Sequence, residues 1–169
     1  MPPTGDLELY LVRHAVAADR GSAWPDDTIR PLTPDGAAKF RKEVEGLAAF
    51  GVEIDLILTS PLVRCRQTAD LLADGLPGKP RVQAIDALAP GSGHSAVIAE
   101  VARIAKRPRI ALVGHEPDMG VLAARLIGAR KPLQFRKGAV CRIDLDSLPP
   151  GGPGQLHWFA TPRMLRRLR

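Results

Sequence analysis

Three apolar runs in this chain stop at polar groups that a buried sheet would not hold in its interior. "LYLVRH" ends in Arg13 and His14, "ILTSPLVR" passes Ser60 and reaches Arg64, and "IALVGH" ends in Gly114 and His115. Ring nitrogens of histidine are nucleophiles or proton carriers near neutral pH, and arginine binds oxyanions through a planar fork. Two arginines and two histidines gathered at one place repel one another unless an anion sits between them. A phosphate has the charge and enough oxygens to satisfy such a group. The isolated-residue readings are blander. One histidine at a strand end is commonly structural, and one arginine on a helix is commonly solvated. It is the repeated combination that points to phosphoryl chemistry.

Strands and helices alternate along the chain. Residues 8–12, 54–60, 81–85 and 109–115 read as strands. Residues 32–51 read as a helix, with Thr33 as cap, Pro34 in the first turn and Gly51 at the exit. Ala37, Phe40, Val44, Leu47 and Ala48 give it an inward stripe. Further helices are expected from Ser60–Pro61 to about Ala73, over 95–106 with Val97, Ile98, Val101 and Ile104 inward, and over 117–128 with Gly128 as stop. Residues 139–146 and 155–161 read as a closing hairpin around "SLPPGGPG". With no repeat and no linker, residues 1–169 are expected to form one domain. The alternation predicts an α/β fold, a three-layer α/β/α sandwich with a mostly parallel sheet covered on both faces. Ligands bind such sheets beyond the carboxyl ends of the strands, which is where Arg13 and His14 fall.

The chain has 169 residues and 45% hydrophobic content, ordinary for a globular protein. No apolar run approaches the ~20 residues that cross a bilayer, and "MPPTGDLE" lacks a signal-peptide pattern, so a cytoplasmic protein with no membrane partner is expected. Cys65 and Cys141 form neither a disulfide framework nor a zinc cluster. The net charge of +6 and the tail "RMLRRLR" could attract nucleic acid or an anionic membrane. No aromatic residues interleave with the tail as a base-stacking surface requires, so a solvated basic end and no nucleic-acid partner are expected.

Other phosphoryl-transfer chemistries fail on spacing. A cysteine phosphatase needs an arginine six places after its cysteine, but Leu71 and Ser147 stand there. An aspartate-dependent site is approached by Asp144 and Asp146, yet Leu148 replaces its last member and little chain follows. No Gly-x4-Gly-Lys loop occurs. His94, in a glycine-rich loop, reads as a loop or rim residue, and His157, in the last strand, as structural.

The segments around these residues resemble the histidine phosphatase superfamily, the phosphoglycerate mutase-like fold, and within it the SixA-type phosphohistidine phosphatases. "LVRHAVA" is similar to the Arg-His-Gly/Ala signature, with Ala15 in third place. "RPLTPDGAAKF" follows, then "LTSPLVRCRQTADLL", similar to Ser-Pro-x-x-Arg-x-x-Gln-Thr, then "LVGHEPDMGVLAARLIG" around the second histidine. The resemblance covers about residues 7–165. It implies that His14 is the nucleophile that becomes phosphorylated, that Arg13 and Arg64 bind phosphate, and that His115 is the second histidine of the pocket. In that scheme neutral His14 attacks phosphorus in line and forms a phosphohistidine, the arginines and His115 stabilise the equatorial oxygens, and water releases phosphate. No metal and no cofactor are needed, and no closely spaced His/Asp/Glu ligand set is present.

Many superfamily members also use a carboxyl group that protonates the leaving oxygen. Asp86, Glu116 and Asp19 are the candidates here, with Asp86 as readily structural. An imidazole leaves more easily than an alkoxide, so an uncertain acid favours a P–N substrate. A chain this short has little left for a lid, and a shallow, open site is expected. Both suit phosphohistidine on a partner protein, such as a histidine-containing phosphotransfer domain in signal transduction. The alternatives are a phosphatase of small phosphate esters, sugar phosphates or nucleotides, or a non-catalytic phospho-ligand binding module that keeps the arginines.

Overall fold

A computed structural model describes residues 6–169. Residues 1–5, with the prolines of the amino-terminal stretch, lie outside the described residues. Strands β1 (Leu7–Arg13), β2 (Leu56–Thr59), β3 (Arg81–Ala84), β4 (Arg109–Gly114), β5 (Val140–Leu145) and β6 (Gln155–Ala160) form one sheet in the order β3-β2-β4-β1-β5-β6. The pairs β2/β3, β2/β4 and β1/β4 are parallel, while β5 runs antiparallel to β1 and to β6. The closing hairpin thus makes the sheet mixed. Helices are α1 (Pro34–Ala49), α2 (Val63–Gly75), α3 (His94–Ile104), α4 (Asp118–Ile127) and α5 (Pro162–Arg167).

Side-chain alternation in β1 divides the core between the two faces. Tyr10 and Val12 pack with Phe40 and Leu47 of α1, Leu72 of α2 and Leu165 of α5. Leu9 and Leu11 pack with Leu58 of β2, Val97 and Val101 of α3, and Leu122 and Leu126 of α4. This is the expected three-layer arrangement. The caps read from sequence are present. The Thr33 hydroxyl accepts from Gly36 N–H at 2.9 Å, and Gly128 ends α4 in the left-handed conformation. The second helix begins at Val63, later than Ser60–Pro61, and has no side-chain cap, which leaves the Ser60 hydroxyl for other partners.

The parallel strands finish level with one another. Arg13 stands opposite Gly114, and Thr59 opposite Val113. The ladder continues one residue beyond, with His14 N–H donating to Gly114 and Ser60 N–H to Val113. His14, Ser60 and His115 therefore leave the sheet side by side.

Helix α1 lies close against α5, and Gly46 permits it. A methyl group at Gly46 would collide with the Leu165 carbonyl oxygen. Alanine in a helix interior normally gains about 1 kcal/mol over glycine. Here overpacking, worth roughly 1–3 kcal/mol, outweighs that gain. Gly46→Ala is expected to lower the urea midpoint, and an unchanged or raised midpoint would contradict this packing.

Candidate active site

His14, Arg13, Arg64 and His115 line one cavity of about 320 Å³ at the carboxyl edge of the sheet. The four residues, distant in sequence, meet as the strand ends require. They are not at a shallow surface. His14 is 5% exposed, His115 4% and Arg64 2%. The reason is a loop over residues 18–31, closed by an Ala17–Leu32 bridge and by Ala18 N–H donating to Pro31 at 2.8 Å. That loop supplies Ala18, Asp19, Arg20 and Arg30 to the cavity wall. The expectation of an uncovered site is corrected to this extent: a short loop walls it.

The ring of His14 is fixed by one contact. Its Nδ1 lies 2.7 Å from the Ala15 carbonyl oxygen, an acceptor only, so Nδ1 carries the proton and the lone pair belongs to Nε2. Nε2 has no hydrogen bond among the described residues. Burial pushes the pKa down to about 4, and the charges of Arg64, Arg13 and Lys137 act the same way against the opposing Ala15 bond. The imidazole is neutral at pH 7, with the lone pair of Nε2 free.

The guanidinium groups are half engaged. Arg13 Nη1 donates to the Phe135 carbonyl at 2.8 Å. Arg64 Nη1 donates to the Asp27 carbonyl at 2.9 Å and Nη2 to the Asp27 carboxylate at 3.0 Å. The Nε atoms of both are buried and have no partner in the protein. Buried charge-bearing donors without an acceptor are costly. Two of them beside one cavity are what an oxyanion site requires before its anion arrives.

Asp27 and Arg30 belong to this site, and the sequence reading missed both. Arg30 is 6% exposed, donates from Nε to the Asp27 carboxylate at 2.8 Å and from Nη1 to the Ala18 carbonyl at 2.6 Å. One carboxylate therefore holds two arginines, and the Arg30 bond leads in keeping Asp27 below its ordinary pKa. Gln67 and Thr68, in the Ser-Pro-x-x-Arg-x-x-Gln-Thr segment, position the loops. Leu32 N–H donates to Gln67 Oε1 at 2.8 Å. Thr68 Oγ1 accepts from Ala15 N–H at 3.1 Å and donates to the Arg64 carbonyl at 2.7 Å.

His115 Nε2 lies 2.7 Å from the Ser60 hydroxyl. Its ring stands edge-on to that of His14, with centroids 5.5 Å apart. Burial, then the charges of Arg64 and His14, lower its pKa to about 3, so it too is neutral. The Cys65 sulfur is 3.4 Å from His115 Nε2, but burial raises the thiol to about 12 and leaves no thiolate nucleophile.

The three carboxyl candidates differ in place. Glu116 lines the cavity, but its oxygens accept from Gly120 N–H at 2.7 Å and Phe135 N–H at 3.4 Å. Asp19 is an exposed wall residue. Asp86 is exposed in the turn Asp86–Leu88 and is not in the cavity lining, where its loop contributes Pro90 instead. His94 opens α3 away from this cavity, and exposed His157 pairs with Asp144 at 3.4 Å. Among the described residues no cluster of three or more His, Cys, Asp or Glu could hold a metal ion, and no helix is long and apolar enough to cross a membrane.

Comparison with known proteins agrees with this geometry. The profile of the Histidine phosphatase superfamily (branch 1) matches residues 9–89. An uncharacterized protein of Picosynechococcus sp. is 40% identical over 116 residues, 68% of this chain and 69% of that one. Phosphohistidine phosphatase SixA of Escherichia coli is 26% identical over 162 residues, 95% of this chain and 97% of its own. A solved structure of the protein histidine phosphatase SixA complexed with tungstate superposes with a TM-score of 0.81 at 26% identity, covering 93% of this chain and 98% of that one. The chain therefore belongs to the histidine phosphatase superfamily and is of the SixA type.

Proposed function

We propose that this protein is a phosphatase that works through a covalent phosphohistidine on His14, and that its substrate is phosphohistidine on a partner protein. The observation that carries the reading is the neutral, oriented ring of His14 beside two arginines whose buried Nε–H groups lack acceptors. The SixA structure this chain resembles was solved with tungstate, itself an oxyanion, which supports the same use of the cavity.

The steps follow from the residues. The Nε2 lone pair attacks phosphorus and forms a P–N bond as the bond to the leaving group breaks. The proton stays on Nδ1, hydrogen-bonded to the Ala15 carbonyl, and that bond stabilises the positive charge that develops on the ring. Arg13 and Arg64 donate to the equatorial oxygens. In the tautomer in which the Ser60 hydroxyl donates to Nε2 of His115, that ring carries its proton on Nδ1 and supplies a third donor. The departing imidazole takes a proton from solvent. Water then attacks the phosphohistidine, phosphate leaves, and Nε2 regains its lone pair. Of the two carboxyls that line the cavity, Glu116 is occupied by two backbone N–H groups and Asp19 is exposed on the wall, so neither is held in place as a dedicated acid. A general acid is worth roughly 10²–10⁴-fold, which an alkoxide needs far more than an imidazole. This favours a P–N substrate over a small phosphate ester.

The direct test measures kcat/KM on a phosphorylated histidine-containing phosphotransfer domain and on free sugar phosphates and nucleotides. A higher value on the protein is expected, and a higher value on the esters would replace this substrate reading with the ester one. His14→Ala is expected to lose turnover and the acid-labile phosphoenzyme while still binding vanadate through the arginines. Turnover surviving in that variant would remove the nucleophile assignment and return the binding-module reading.

The pH dependence follows from burial. Both rings have native pKa values below the ordinary 6.5, near 4 for His14 and near 3 for His115. As pH falls, the unfolded chain protonates first, so these groups draw stability down between pH 6.5 and 4 and cost nothing above that window. Imidazole NMR signals of His14 and His115 are expected to stay neutral from pH 8 to about 5, with the His14 proton on Nδ1. A transition of either ring near 6.5 would contradict the buried cationic site.

A further inference from the structure

A second, larger cavity of about 680 Å³ adjoins the first and shares Arg13 and Lys137 with it. Its cations are Arg13, Lys39, Arg136, Lys137, Arg163 and Arg166, and its only acid is Glu43. They come from four parts of the fold: the end of β1, α1, the segment before β5, and α5. Their partners are few. Lys39 pairs with Asp35 at 2.8 Å, one turn away on α1, and Arg166 pairs with Glu43 at 3.1 Å. Among the described residues Arg136, Lys137 and Arg163 have no ion pair. Glu43 is 3% exposed and its Oε1 is held by Arg166, so it offers the groove little free negative charge. The basic carboxyl-terminal segment, which read from sequence as a solvated end, in fact lines this groove.

We infer that the groove receives carboxylate side chains flanking the phosphorylated residue of a partner protein, and so selects acidic polypeptide substrates. This rests on the protein-substrate reading above. The occupant follows from charge and layout. One extra phosphate or carboxylate would be satisfied by two of these cations and leave the others unpaired. Several carboxylates spaced along a polypeptide match cations set on four parts of the fold. The rim residues Val16, Lys39, Arg136, Lys137 and Arg163 are exposed, so a chain can lie across them. Because the two cavities share a wall, a phosphorylated side chain in the smaller one brings its neighbours into the larger. Exposed charge pairs of this kind act mainly on encounter and on KM.

The test uses two phosphohistidine peptides, one with glutamates and one with glutamines at the four positions around the phosphohistidine. The glutamate peptide is expected to show about tenfold higher kcat/KM, through KM, with the preference gone at roughly 0.5 M salt. Arg136→Glu/Arg163→Glu should erase the preference and leave hydrolysis of p-nitrophenyl phosphate unchanged, which also shows that the variant is folded. Equal kcat/KM for both peptides with wild-type protein would overturn the inference. If neither phosphopeptide is hydrolysed while p-nitrophenyl phosphate is, the substrate reading fails and the groove is judged by binding alone. Fluorescence anisotropy with the unphosphorylated glutamate peptide then supports the groove if the double variant binds at least about tenfold more weakly, and overturns it if the two proteins bind alike.

Discussion

The constraint on which this protein depends is the presence of buried guanidinium groups beside an imidazole that must stay uncharged. In water three arginines and a histidine would scarcely sense one another. Below the surface their repulsion grows as the effective dielectric falls. The fold answers in two ways. The carboxylate of Asp27 takes up Arg30 and one edge of Arg64, and the Phe135 carbonyl takes up one edge of Arg13. The remaining positive field is left unanswered and falls on His14, where it joins burial in keeping the ring neutral. The same imbalance suits an oxyanion and leaves the Nε2 lone pair of His14 free, as the proposed mechanism needs. Full neutralisation by further acids would weaken both effects.

Such a cluster needs a scaffold that does not relax away from it. Level strand ends fix His14 and Ser60, because the ladder continues through their backbone N–H groups, and His115 follows directly on Gly114, which accepts from His14. Thr68 ties the loop after β1 to the first turns of α2, so Arg64 and His14 cannot separate without losing a buried hydroxyl's two bonds. Gly138 completes the frame. Its N–H reaches the carbonyls of Arg13 and His14 at 3.1 Å, its φ is +88°, and a side chain there would press on Glu43. Pre-organisation of this kind is set at folding, so little reorganisation remains for the reaction itself.

Much of this was legible in the residues. Apolar runs that end in Arg-His, Ser-Pro-x-x-Arg and Gly-His gave the four cavity residues, because a strand's end and its side-chain chemistry are both local signals. The caps at Thr33 and Gly128 are local as well. Asp27 and Arg30 were not found, since their partners lie up to 37 residues away and the loop carrying them has no periodicity. The enclosure of the site was missed for the same reason: how a loop folds back is settled by tertiary bonds such as Leu32 to Gln67. Glu43 did leave a trace. It falls between Phe40 and Leu47 on the inward stripe of α1, where a charged residue calls for a partner, and the half-buried Arg166 is that partner.

Burial also separates two populations of cations that sequence alone presents as one net charge. Arg64 and Arg30 are almost fully enclosed, each is held by Asp27, and neither can rearrange without exposing a charge to an apolar wall. Rigid donors of this sort discriminate by geometry and strengthen as charge builds on phosphorus. Arg136, Lys137 and Arg163 are exposed, unpaired among the described residues and carried on long flexible stems. They lose side-chain entropy on binding and are screened by salt, so their contribution lies in capture. Arg13 and Lys137 border both cavities. Cations therefore border the way from the outer groove to Nε2 of His14, and the acids along it stand apart from that line: Glu43 is held by Arg166, Glu116 by two backbone N–H groups, and Asp19 is on the exposed wall, so enclosure rises inward while the facing charge stays mainly positive.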